Sequence, residues 1–130
     1  MADLESNYEK KVTWPETTVV KIGHHGAYTS SCDYFLDQTK PKYSIISVGK
    51  DNSYNHPSSA TLKRLRKRNS EIYRTDEKGT ILLTSNGTDI NFDFYDNRYY
   101  LWSENKEGSQ GRDCKESCGG VKVGAVGGVW

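Results

Sequence analysis

The sequence predicts an α/β domain with a mixed sheet in β-α-β-α-β-β-β order, and three observations carry that expectation. Two β-branched, near-continuous apolar runs, 17–23 and 43–49, have the character of strands buried on both faces of a sheet. Each is followed by a short helical pattern opened by serines, which is the rhythm of strands joined by crossover helices. Three more strand-like runs close the ordered part, the last two joined by Asn86-Gly87, a hairpin signal.

Taken in order, residues 1–16 are polar, mixed in charge and end at Trp14-Pro15, and read as an irregular lead-in. The first strand, 17–23, runs into the Gly23-His24-His25-Gly26 loop. Ser30 or Ser31 is expected to cap a helix over 33–39, with Asp33 favourable in its first turn and Pro41 ending it. The second strand, 43–49, leads to a polar loop holding Asn52, Tyr54, Asn55 and His56. Ser58 or Ser59 then caps a helix through 60–68, in which Leu62 and Leu65 face the core and Lys63, Arg64, Arg66, Lys67 and Arg68 ring the rest. A strand over 71–75, a turn over 76–79, a strand over 80–85 and a final strand over 88–95 complete the order. The chain divides into the lead-in 1–16, a domain over 17–102 and a glycine-rich tail over 103–130, read as flexible.

Composition narrows the function classes. The 130 residues carry 18 basic and 17 acidic side chains, so no overall field draws in nucleic acid or membrane. Mean hydropathy is -0.82, low for a packed domain, and nine tyrosines with three tryptophans offset part of the deficit. No apolar run reaches membrane-spanning length, and the N-terminus lacks the basic and apolar regions of a signal peptide, so a soluble chain is expected. Cys32, Cys114 and Cys118 are odd in number and too few for a disulfide framework, and the gap between the last two is wider than in most zinc or redox pairs.

Chemistry is expected where the first two strands end. Ligands collect at the carboxyl ends of strands in open α/β sheets, and imidazole is the commonest neutral metal ligand. His24 and His25 follow the first strand and His56 the second. Thr29, Ser30, Ser31, Ser58 and Ser59 stand just before helices, where they can cap the helix or flank an anion at its free N–H groups.

The stretch from Val20 through Gly23-His24-His25-Gly26, Thr29-Ser30-Ser31 and Lys40-Pro41-Lys42-Tyr43 to Val48-Gly49-Lys50 resembles the metallo-β-lactamase domain of ComEC/Rec2-type competence proteins. The likeness continues through Asn52, Tyr54, His56-Pro57-Ser58, Leu62, Leu65, Tyr73-Arg74-Thr75-Asp76 and Gly79-Thr80-Ile81. It covers about residues 17 to 90 and implies the C-terminal half of an αββα sandwich. It also implies a metal-dependent hydrolase of phosphodiesters or DNA, acting in competence-related DNA uptake on the outer face of the membrane, with zinc or manganese. His24 is favoured over His25 as the metal ligand. His25 and His56 become pocket residues with catalytic roles, and Thr29, Ser30, Ser31, Asn52 and Ser58 become substrate-binding residues. The family's main His-x-His-x-Asp-His cluster and its bridging aspartate are absent from this sequence. A working site therefore requires the N-terminal half-domain or a partner chain.

The alternative reading is a non-catalytic module binding nucleic acid or protein. Its features are the basic helix face at Lys63, Arg64, Arg66, Lys67 and Arg68 and the aromatic residues Tyr95, Tyr99, Tyr100 and Trp102. A third reading is a degenerate remnant without function.

Overall fold

Strands β1 (Val19–Lys21), β2 (Tyr43–Ile46) and β3 (Glu71–Arg74) form a parallel sheet in that order. The computed structural model from which this is read describes residues 3–96 and 121–125. The β1–β2 crossover carries α2 (Asp33–Thr39) and the β2–β3 crossover carries α3 (Ser59–Lys67). Sequential strand order with crossovers of one hand places both helices on one face. Phe35 and Leu36 of α2 and Leu65 of α3 accordingly share a core with Val20, Ile22, Ile46 and Val48, and Leu62, Ile72 and Trp14 pack against it.

A second sheet covers the opposite face. Strands β4 (Thr80–Ser85) and β5 (Ile90–Tyr95) form an antiparallel hairpin, and β6 (Val121–Ala125) pairs with β4 in parallel, giving the order β5-β4-β6. The side chains that alternation turns away from the helices, Ile45 and Tyr73 with Val19, meet Ile81, Leu83, Ile90 and Phe92 of the hairpin. Tyr43 and Tyr73 stack 6.2 Å apart, and Phe92 meets them at 5.0 and 4.7 Å. The layers therefore run helix, parallel sheet, second sheet.

The expected α/β class is present, but the single mixed sheet of the sequence reading is corrected to two sheets. The division falls where a turn over 76–79 was expected and where the structure has a one-turn helix, α4 (Thr75–Lys78), which also takes Thr75 from the expected strand. Arg74 grips Asp76 through Nε–Oδ1 and Nη2–Oδ2 contacts of 3.0 and 2.6 Å, and reaches Glu77 at 3.0 Å. Gly79, at φ +73, then turns the chain with backbone of Tyr95 and Asp96 so close that a Cβ has no room. The strand after Gly79 leaves the first sheet.

Within the lead-in, α1 (Ser6–Glu9) is a short helix tied to the rest of the chain. Trp14 Nε1 donates to Glu9 O at 2.8 Å, Trp14 N donates to Gln38 Oε1 at 2.7 Å, and the indole meets Phe35 edge-on at 4.9 Å. Strand β6 lies within the stretch read as the glycine-rich tail. Tyr99, Tyr100, Trp102, Cys114 and Cys118 lie outside the described residues.

Candidate functional site: a three-imidazole pocket at the strand ends

Beyond β1, the Ile22 amide still bonds Ile45 O at 2.8 Å, and the chain then turns sharply. His24, His25 and Gly26 all take left-handed backbone, at φ 47, 53 and 79. Two such residues in succession are costly for side chains with a Cβ, so the turn holds only because its surroundings fix it. Gly26 N donates to Gly23 O and Ala27 N to His24 O, closing it. Gly26 also lies against Pro57, whose peptide bond with His56 is cis, and its carbonyl accepts from Ser58 N at 2.9 Å. The two histidine loops thus meet backbone to backbone.

The imidazoles converge. The His24 ring centroid lies 6.5 Å from that of His25 and 6.0 Å from that of His56. His25 Nδ1 stands 2.8 Å from Ser47 O. A carbonyl can only accept, so this nitrogen carries a proton, and in the neutral tautomer assigned from this hydrogen bond the lone pair is on Nε2. Nδ1 of His24 and Nδ1 of His56 are buried and have no hydrogen-bond partner among the described residues. Burial, and then the proximity of His24 and His25, pushes the His56 imidazole below its ordinary range, which favours the neutral ring. Tyr54 stacks on His56 at 5.9 Å and is 78 % exposed, so it forms the pocket's outer wall.

Of the residues expected to touch substrate, Asn52, Ser58 and Ser30 have side chains bonded to the protein itself. Asn52 Nδ2 donates to Gly49 O and His56 O at 3.0 and 2.8 Å, and its Oδ1 accepts from His56 N at 2.9 Å, so Asn52 sets the course of the His56 loop. Ser58 caps α3, its Oγ accepting from Thr61 N at 3.1 Å, as the sequence suggested. Ser30 is buried, with Oγ donating to Gly23 O at 2.8 Å. Ser31 is buried with an unpartnered hydroxyl. The carbonyl of Thr29 accepts from Ser6 N and Ser6 Oγ at 2.8 and 2.6 Å.

Two corrections follow. Neither Ser30 nor Ser31 caps α2: the cap position is Cys32, which makes no side-chain cap. The carboxylate of Glu9, fully buried, takes that role, with Oε1 accepting from Ser31 N at 2.7 Å and Oε2 from Cys32 N at 2.8 Å. An anion on the free amides before a helix is favourable, and these charge-assisted bonds compensate its burial. Nor do the four basic residues of α3 and Arg68 at its C-terminal end form one free face. Arg68 pairs with Asp33 and Asp37 at 2.8 and 2.6 Å, and Arg64 turns inward onto the loop after the histidines. Glu9 and Arg64 are the two residues that sequence reasoning missed.

A metal calls for several converging donors. Among the described residues no group of three His, Cys, Asp or Glu side chains is placed to hold one. Three imidazoles, two of them with an orphaned nitrogen, offer donors, but they do not complete a metal site by themselves.

The chain is similar, over part of its length, to bacterial proteins whose names refer to competence or recombination. It is 41 % identical over 83 residues to ComE operon protein 3 of Bacillus subtilis, a match covering 61 % of this chain and 11 % of that protein. Competence protein ComA of Neisseria gonorrhoeae is 40 % identical over 63 residues, covering 48 % of this chain and 9 % of its own. Recombination protein 2 of Haemophilus influenzae is 35 % identical over 63 residues, covering 48 % and 8 %. The chain thus spans about a tenth of the length of these relatives. No family model matches it, and no solved structure matches it. Among the described residues no helix is long and apolar enough to cross a membrane.

Proposed function

We propose that this chain is the C-terminal part of a metallo-β-lactamase-type hydrolase pocket that acts on DNA or another phosphodiester during competence-related DNA internalisation. The observation that carries the reading is the convergence of His24, His25 and His56 where β1 and β2 end. The layering of helices, parallel sheet and second sheet is consistent with half of an αββα sandwich. The similarity to competence proteins supplies the context of DNA uptake.

In this reading His24 offers one ligand to zinc or manganese, and an N-terminal half-domain or partner polypeptide supplies the rest. The free Nε2 of His25 is the pocket's proton acceptor. His56, held neutral by burial, faces the substrate beside Tyr54. Asn52, Ser58 and the 29–31 loop act by shaping the pocket through the bonds described above. The test is calorimetric titration of the full chain with zinc and with manganese. The expected result is weak binding lost in His24→Ala, because one chain supplies too few donors for a closed site. Binding that survives a His24→Ala/His25→Ala double variant overturns the reading.

One observation favours a second reading, a nucleic-acid contact without hydrolysis. Tyr54 and Tyr28, exposed by 78 and 70 %, offer faces on which unpaired bases can stack. Metal-independent binding of a single-stranded oligonucleotide, weakened by Tyr54→Ala and untouched by His24→Ala, supports that alternative.

A further inference from the structure

We infer that Arg64 is a positioning residue: with Ser58 and Thr61 it makes one stripe of α3 the template that holds the histidine turn against the His56 loop. The three positions are spaced three apart, so they lie along one side of the helix. Together they bind the backbone that follows the histidines almost residue by residue. Ser58 N donates to Gly26 O at 2.9 Å, and Thr61 Oγ1 donates to Ala27 O at 2.9 Å. The Arg64 guanidinium then reaches Tyr28 O at 3.1 Å, Ser30 O at 2.9 Å and Ser31 O at 3.0 Å. The stripe is also bonded along itself, Ser58 Oγ to Thr61 Oγ1 and Arg64 Nη2 to Thr61 Oγ1, both at 3.0 Å.

The opposite side of the loop is held by the lead-in, where Glu9 takes the amides of Ser31 and Cys32 and Ser6 donates to Thr29 O. The loop cannot slide without breaking one set of bonds or the other. What it fixes is the left-handed run at His24, His25 and Gly26, a single 3-10 turn with only two backbone bonds of its own. Ser58 is two residues from His56, so the same helix end anchors both imidazole loops. The rigid fork of the guanidinium presents Nε and Nη2 to these carbonyls at a fixed spacing, which a lysine ammonium on a flexible stem does not reproduce. The inference concerns the chain's own geometry and stands apart from whether the pocket hydrolyses anything.

The test reads the His25 tautomer by long-range proton–nitrogen NMR of the full, nitrogen-15-labelled chain at about pH 8, where ordinary imidazoles are neutral. In the parent chain the Nδ1–H form of His25 dominates because Ser47 O accepts from it. In Arg64→Ala, and equally in Arg64→Lys, the Nδ1–H to Nε2–H ratio falls about fivefold or more, the change expected on loosening one ordinary hydrogen bond. Arg64→Lys keeps the charge and most of the stem, so it serves if the alanine variant does not fold. Leu65→Val, on the neighbouring buried position, lowers stability without moving the ratio. An unchanged ratio in the folded Arg64 variants overturns the inference, as does an equal shift in Leu65→Val.

Discussion

At Gly26 two demands meet in one residue. Its φ of +79 is open to glycine, and a Cβ built there would stand 2.6 Å from Pro57 Cβ and 3.4 Å from Ile46 Cγ2. Gly26→Ala is expected to destabilise the chain by about 2–3 kcal/mol, measured by urea unfolding, because backbone strain and a contact with ring and backbone atoms act together. His56 gives a second prediction at this scale. Its folded pKa lies below the ordinary 6.5, chiefly through burial, so the unfolded chain binds the extra proton first as pH falls. The stability held by its neutral form is complete above about 6.5 and is lost as pH drops through the folded value. His56→Gln should flatten the slope of unfolding free energy against pH in that window, and an unchanged slope would rule out His56 as its source. The glycines and histidines were legible as a turn in the sequence because conformational freedom and metal-ligand chemistry belong to residue types. Their left-handed run was not, since it follows from bonds made by residues far along the chain.

Between elements, range decides what the sequence could show. Ser58 was legible as a cap because its partner, Thr61, is three residues away. Glu9 was not, because the amides it caps are 22 and 23 residues distant, and the polar lead-in around it gives no periodic signal. The inward turn of Arg64 was hidden in the same way: the carbonyls it holds precede it by 33 to 36 residues. A run of five basic residues reads as one solvated face until the partners of each are known. Glu9→Gln places an amide donor against backbone donors in a dry site, and a loss of about 2–4 kcal/mol is expected on urea unfolding. Changing Arg66 to Gln on the outer side of α3 should move the same midpoint by less than about 0.5 kcal/mol.

For the molecule as a whole, alternation of strands and helices was enough to reveal strands joined by crossover helices. It read as one mixed sheet with helices on at least one face, where the structure has a separate parallel sheet. The pattern could not show where that sheet stops, since β3 and β4 both read as strands and only the single turn of α4, with its Arg74–Asp76 pair, and Gly79 stand between them. The two resulting cores are unequal. Among the described residues, seven buried side chains fill the space between α2, α3 and the parallel sheet, against three between the sheets. Cooperative units with less buried apolar surface open more often. Hydrogen exchange should therefore run faster at the amides of Leu83 and Phe92 than at those of Ile22 and Ile46. The second sheet would then open more often while the imidazoles, mounted on the slower unit, stay in register, so the lifetime of their arrangement is set by the larger of the two described cores.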